Sequence, residues 1–138
     1  MNQTLILVTD DDEDDRFFIR QALERHIQKV LIKEAENGQE ALECIASSSS
    51  PKVNIVILDV NMPVMDGFET LKEIRSKQQF KHVPTVMLST SESSEDVQKA
   101  YELGANCFIK KPHKVDDYDK LAQSIHHCFL SVLPAVGT

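Results

Sequence analysis

Apolar positions along the chain follow two rhythms in turn. Short, mostly β-branched runs are followed by stretches in which apolar residues recur every three or four positions, and the pair repeats about five times. Residues 4–9 (TLILVT) predict a strand that runs straight into the acidic stretch 10–15. Phe17, Phe18, Ala22, Leu23 and Ile27 then give a first helix, with acids ahead of its first turn where the helix dipole favours them. Residues 30–35 predict a second strand, and Ala41, Leu42 and Ile45 a second helix beginning after Asn37-Gly38, closed by a serine loop and Pro51. The third run, Val53 and Ile55 to Leu58, is too short for a helix and apolar on both alternating faces, as in a strand covered on both sides. It breaks at Met62-Pro63, and Asp66-Gly67 opens a third helix carrying Phe68, Leu71 and Ile74. Residues 83–88 predict a fourth strand. After the hydroxyl-rich turn 89–94, Val97, Ala100, Tyr101 and Leu103 mark a fourth helix stopped by Gly104. Residues 107–109 predict a fifth strand ending at Lys111-Pro112, and Val115, Tyr118, Leu121, Ala122, Ile125, Cys128 and Phe129 a last amphipathic helix. A frayed tail is expected from Pro134.

Strand-then-helix alternation of this kind implies an α/β, doubly wound fold: a five-stranded parallel sheet with right-handed crossovers and helices on both faces. At 138 residues the expectation is a single domain over 1–138, with its core at about 4–131. A hydrophobic fraction of 41%, with no run long enough to span a bilayer, reads as soluble and globular, and MNQTLILV lacks the basic start of a secretory signal. The expected location is the cytoplasm. A net charge of -7 argues against nucleic-acid binding and points to a protein partner. Cys44, Cys107 and Cys128 are odd in number and widely spaced, so neither a disulfide framework nor a zinc site is supported. Buried free thiols are expected.

The chemistry concentrates where strands end: Asp10 and Asp11 after the first, Asp59 after the third, Ser89 after the fourth, Lys111 after the fifth. In an open α/β sheet all of these fall on the edge where ligands bind. Three crowded carboxylates repel and call for a cation, and oxygen ligands of this type suit Mg²⁺ with phosphate oxygens completing its shell. A hydroxyl and an ammonium from neighbouring strands can hold the remaining oxygens, so the predicted chemistry is phosphoryl transfer. Asp12, Glu13, Asp14 and Asp15 read as a helix N-terminal charge cluster without a metal role, and His126 and His127 as residues favoured by a helix C-terminus.

These residues resemble, over essentially the whole chain, the receiver domain of two-component response regulators: the acidic pair in LVTDD, the block DVNMPVMDG, Ser89 with Thr90, and GANCFIKKP occur in order at the family's separations. The resemblance implies a flavodoxin-like sheet of order 2-1-3-4-5, Asp59 as phosphoacceptor, Asp10 and Asp11 as metal-site acids, and the Asn61 backbone carbonyl as a further Mg²⁺ ligand. It implies that Ser89 and Lys111 contact the phosphoryl group, that Pro112 follows a cis bond, and that Phe108 stands at the switch aromatic, often tyrosine. It also implies a phosphoryl donor, a sensor histidine kinase or histidine phosphotransfer protein, and a downstream protein bound on the face of the fourth helix, fifth strand and last helix. The chain thus reads as a stand-alone signalling receiver that catalyses only its own phosphorylation and dephosphorylation.

Two other readings compete. A haloacid-dehalogenase-type phosphatase also uses a strand-end Asp and Mg²⁺, but it needs an acid two residues on, where this chain has Asn61. An FMN-binding flavodoxin relative would cradle a phosphate in the loop after the first strand, where residues 10–15 would repel it.

Overall fold

The structure, a computed structural model, describes residues 3–47 and 52–130. Five strands, β1 (Thr4–Thr9), β2 (Val30–Ala35), β3 (Ile55–Asp59), β4 (Thr85–Ser89) and β5 (Cys107–Lys110), form one parallel sheet of order β2-β1-β3-β4-β5. Between and after them run α1 (Glu13–His26), α2 (Gly38–Ala46), α3 (Gly67–Ser76), α4 (Ser94–Glu102) and α5 (Val115–Ile125), and α5 continues into a π-helical turn, His126–Leu130. The doubly wound expectation and its strand order both hold.

Period-two alternation divides the buried side chains into two layers. Ile6, Val8, Ile55, Ile57, Val86 and Leu88 face α1 and α5, packing with Ile19, Leu23, Leu121 and Ile125. Leu7, Val56, Leu58 and Met87 face the other way, onto Ala41, Leu71, Ile74 and Ala100 of α2, α3 and α4. Because β3 is central, all five of its residues are buried, as the two-faced apolar run predicts. The helices begin where polar side chains close their first turns. Asp12 accepts from Asp15 N, Asn37 from Glu40 N and Ser93 from Asp96 N, and Asp66 with Glu69 forms a reciprocal capping box on α3.

Several elements depart from the sequence reading. β3 begins at Ile55 and β4 at Thr85, each two residues later than the apolar runs. Pro84 has no N–H for the ladder, and Asn54 is engaged with Leu5, its side chain accepting from Leu5 N at 2.8 Å. Phe17, Tyr101 and Val115, assigned to apolar helix faces, are about half exposed. Phe17 and Phe18 are adjacent, and on a helix neighbours cannot both face the core; Phe18 takes the inward place, against Tyr118. The cysteines are not all buried: Cys44 and Cys107 are partly so and Cys128 is exposed. The serine loop beyond Ser47 and the tail from Pro134 lie outside the described residues.

One structural residue had no signature in the sequence. Arg75, near the end of α3, donates to the carbonyls of Lys81, Val83 and Gly104 and to Asn106 Oδ1, at 2.8 to 3.1 Å. It ties the turn before β4 to the turn before β5, and so fixes the two strands that lead to Ser89 and Lys111.

Candidate functional site

The strand-end residues converge for a reason visible in the alternation. Asp10 continues the parity of Ile6 and Val8, Asp59 that of Ile55 and Ile57, and Lys111 that of Cys107 and Ile109, so all three leave the sheet on the α1 and α5 side. Lys111 Nζ lies 2.8 Å from Asp10 Oδ2 and 3.4 Å from Asp59 Oδ2. The Lys111 backbone N–H donates to Ser89 O at 2.7 Å, fixing the start of the lysine stem beside the end of β4. Ser89 is fully buried, one register step beyond the Asp59↔Leu88 pair, and its Oγ accepts from Ser91 N.

Asp10 and Asp59 are almost completely buried, whereas Asp11 is exposed at the rim. Burial, and then the charge of Asp10, push the Asp59 carboxyl up to about 7, against the pull of Lys111 and of the Asn61 backbone N–H. Burial likewise raises Asp10, opposed by Lys111 and the Asp12 N–H. For Lys111 burial works against the charged form, but its close ion pairs with Asp10 and Asp15 and the charge of Asp59 outweigh that, and its pKa is raised. The ammonium is therefore fixed as a cation, while the acids around it are short of positive charge.

Carboxylate oxygens of Asp10, Asp11 and Asp59 lie within 4.8 Å of one another. Asp10 Oδ2 is buried and lies 2.8 Å from the Lys111 ammonium, its ion-pair partner, and it accepts no hydrogen bond among the described residues. A buried carboxylate oxygen without a hydrogen bond, within an all-oxygen donor set, fits a hard divalent cation. The placement of the other predicted residues is mixed. Asn61 follows β3 on an exposed loop with its N–H toward Asp59, and Phe108 is half-buried on β5 against the α2, α3 and α4 layer, its N–H donating to Tyr101 Oη at 3.1 Å.

Two further residues touch the site. Asp15, set aside on sequence as helix-terminal charge, pairs through Oδ2 with Lys111 at 2.9 Å and accepts the Tyr118 hydroxyl through Oδ1 at 3.2 Å. Burial, and then the Asp15 charge, push the Tyr118 phenol up to about 12, which keeps it a donor at neutral pH. Arg16, buried in the next position, donates to the Asp10 backbone carbonyl at 2.7 Å and to Glu34 at 2.9 Å, tying the end of β1 to β2. A basic residue one position after an acidic run is the only sequence trace of this clamp. Behind the site, Gly67 at the start of α3 lies against the Asp59 carbonyl and Val60, and its N–H donates to Val60 O at 2.8 Å.

Comparison with known proteins agrees with this geometry. The profile of the family described as response regulator receiver domain matches residues 6–124. The response regulator Rcp1 of Synechocystis sp. is 31% identical over 137 residues, covering 95% of this chain and 93% of that protein. Among solved structures, the Mn²⁺-bound form of Rcp1 superposes with a TM-score of 0.82 at 30% identity, covering 96% of this chain and 99% of that one. A phosphorylated cyanobacterial phytochrome response regulator, RcpA, superposes with a TM-score of 0.87 at 28% identity, covering 97% and 100%. The haloacid-dehalogenase alternative finds no support in these matches.

Proposed function

Since the chain belongs to the response regulator receiver domain family, and so to two-component signalling, we propose that Asp59 is its phosphoacceptor and that Mg²⁺ is its working metal. The observation that carries this reading is the buried strand-end carboxylate of Asp59, set beside Asp10 and Asp11 and facing the Lys111 ammonium at 3.4 Å. The Mn²⁺ in Rcp1 and the phosphoryl group on RcpA, both close in fold, support it by analogy.

The chemistry is nucleophilic. A carboxylate oxygen of Asp59 attacks phosphorus of a phosphohistidine, the P–N bond breaks as the P–O bond forms, and the imidazole leaves. Lys111, held by burial and by its acids, meets the negative charge on the equatorial oxygens, and the Ser89 hydroxyl donates to one of them. Asp10, Asp11 and Asp59, with the Asn61 carbonyl, would hold the cation, which would neutralise the carboxylates and attract the phosphoryl oxygens. Reversal is hydrolysis: water attacks the same phosphorus and Asp59 leaves as carboxylate. Within this reading residues 1–138 form one receiver unit acting in the cytoplasm, catalysing only its own modification. The donor is a sensor histidine kinase or histidine phosphotransfer protein, and the output a downstream protein on the α4, β5 and α5 face, where Ser89 and Phe108 are the switching residues. Among the described residues no helix is long and apolar enough to cross a membrane.

Incubation with acetyl phosphate and Mg²⁺, read by intact mass, should give one phosphoryl adduct on the natural protein and none on Asp59→Asn. A full adduct on that variant would remove Asp59 from its role. Mg²⁺ should also raise the melting temperature through linkage, and Asp11→Ala should lose most of that rise. An equal response in the variant would place the metal elsewhere.

A further inference from the structure

We propose that Asp15 is a positioning residue for Lys111, the two forming a latch in which the ammonium is shared between Asp15 and the acceptor cluster while Tyr118 on α5 senses which side holds it. The latch rests on the phosphoacceptor and metal reading above. Lys111 Nζ lies between two near partners, 2.8 Å from Asp10 Oδ2 and 2.9 Å from Asp15 Oδ2, with Asp59 Oδ2 farther off at 3.4 Å. Asp10, Asp11 and Asp59 belong to the group of oxygens that can share a cation, and Asp15 does not. A divalent cation in that group offsets the attraction of Asp10 and Asp59 for the ammonium and leaves that of Asp15 intact, because interactions over a few ångströms at a largely buried site follow the nearest uncompensated charge. Metal therefore shifts Lys111 onto Asp15. A phosphoryl group on Asp59 restores negative charge on the acceptor side and draws it back.

Asp15 is a two-handed reporter of that movement. Lys111 holds one of its oxygens, and the hydroxyl of Tyr118 donates to the other at 3.2 Å. When the ammonium leaves, the carboxylate becomes a stronger acceptor for the phenol. Tyr118 is 5% exposed and its ring packs on Phe18 of α1, with centroids 5.5 Å apart, so a change in this hydrogen bond acts where α5 meets α1. The charge state of the acceptor thus reaches the last helix through Lys111, Asp15 and Tyr118, separately from Ser89 and Phe108.

The chain has two tyrosines and no tryptophan, so in a Tyr101→Phe background the tyrosine emission belongs to Tyr118 alone. Phenol emission is quenched by a hydrogen bond to a carboxylate, which makes it a direct readout. Titration with MgCl₂ should change Tyr118 emission with the same midpoint as the metal-induced rise in melting temperature, and acetyl phosphate should reverse the change once mass shows the adduct. Asp15→Asn, which keeps the acceptor oxygen but not the charge, should keep the thermal response and lose the emission response; Asp15→Glu should retain both. A merely structural Asp15 would lower stability without uncoupling the two signals. An emission response in Asp15→Asn equal to its parent, a silent Tyr118 in a parent whose melting temperature does respond to Mg²⁺, or emission that stays at its metal-bound level after phosphorylation would overturn the latch. A parent without any thermal response to Mg²⁺ would overturn the metal reading, and the latch with it.

Discussion

Asp59→Asn should make the metal-free protein more stable at pH 7 to 8, by as much as about 4 kcal/mol, while abolishing the proposed activity. The sign follows from linkage. The Asp59 carboxyl is raised from 3.8 to about 7 in the fold, first by burial and then by Asp10, so the folded state holds its proton where the unfolded chain has lost it. Below pH 4 both states are protonated and the residue is neutral in its effect. As pH rises from about 4 to 7 the folded state is progressively penalised, and above 7 the penalty is constant. Each tenfold weakening of the acid corresponds to about 1.4 kcal/mol, which sets the upper bound. That bound already includes the opposing pull of Lys111, which keeps Asp10 and Asp15 as partners in the variant. Urea denaturation at pH 4, 6 and 8 should therefore show the two proteins converging at low pH and separating as pH rises. Added Mg²⁺ should narrow the gap by stabilising the natural protein. A variant less stable than the natural protein at pH 8 would mean that Asp59 contributes more through packing than it loses through desolvation.

The second large effect is predicted at a residue with no chemistry of its own. A Cβ on Gly67 would press into the Asp59 carbonyl oxygen and lie 2.8 Å from Val60 Cα, and both are backbone atoms of the central strand and its exit, which cannot swing aside. Gly67→Ala should therefore destabilise the fold by about 2–4 kcal/mol, by overpacking and not through any lost hydrogen bond, since alanine keeps the N–H that Val60 accepts. Under conditions where the variant is still folded, the same push on the end of β3 should slow adduct formation from acetyl phosphate. Stability within about 0.5 kcal/mol of the natural protein would show that α3 can back away from β3. The glycine would then be a convenience of the turn and not a condition for seating Asp59.

How far the chain could be read in advance depended on whether a signal was local. The run ending in Asp59 is local: its two apolar faces require a covered central strand, and a carboxylate at its end must then be both buried and at the ligand edge. Asp10, Ser89 and Lys111 are legible for the same reason, because each is attached to its own strand end. Asp15 was legible in part. It stands in the first turn of α1 and outside the cation cluster, as its sequence position implies, but its contact with a lysine 96 positions further on depends on the closed sheet, which brings the two to 2.9 Å. Arg75 and Gly67 were missed as site supports because their partners are backbone atoms of distant segments, for which side-chain patterning has no signature. The exposed Phe17 and Tyr101 mark the opposite limit: helical spacing counts apolar residues, but it does not say which of two adjacent ones will be covered. The π-helical turn at His126–Leu130 likewise continues the apolar stripe of α5 without any change in the pattern that would announce it.

The central claim, that one carboxylate of this cluster becomes the acyl phosphate, is tested most directly by locating the modified atom. Phosphorylated protein is reduced with borohydride, which converts an acyl phosphate carboxyl to a primary alcohol and leaves free carboxylates untouched, and the peptides are then sequenced by fragmentation. The alcohol should be found at Asp59 and at no other acid. Its appearance at Asp10, Asp11 or Asp15, with Asp59 recovered unchanged, would contradict the assignment.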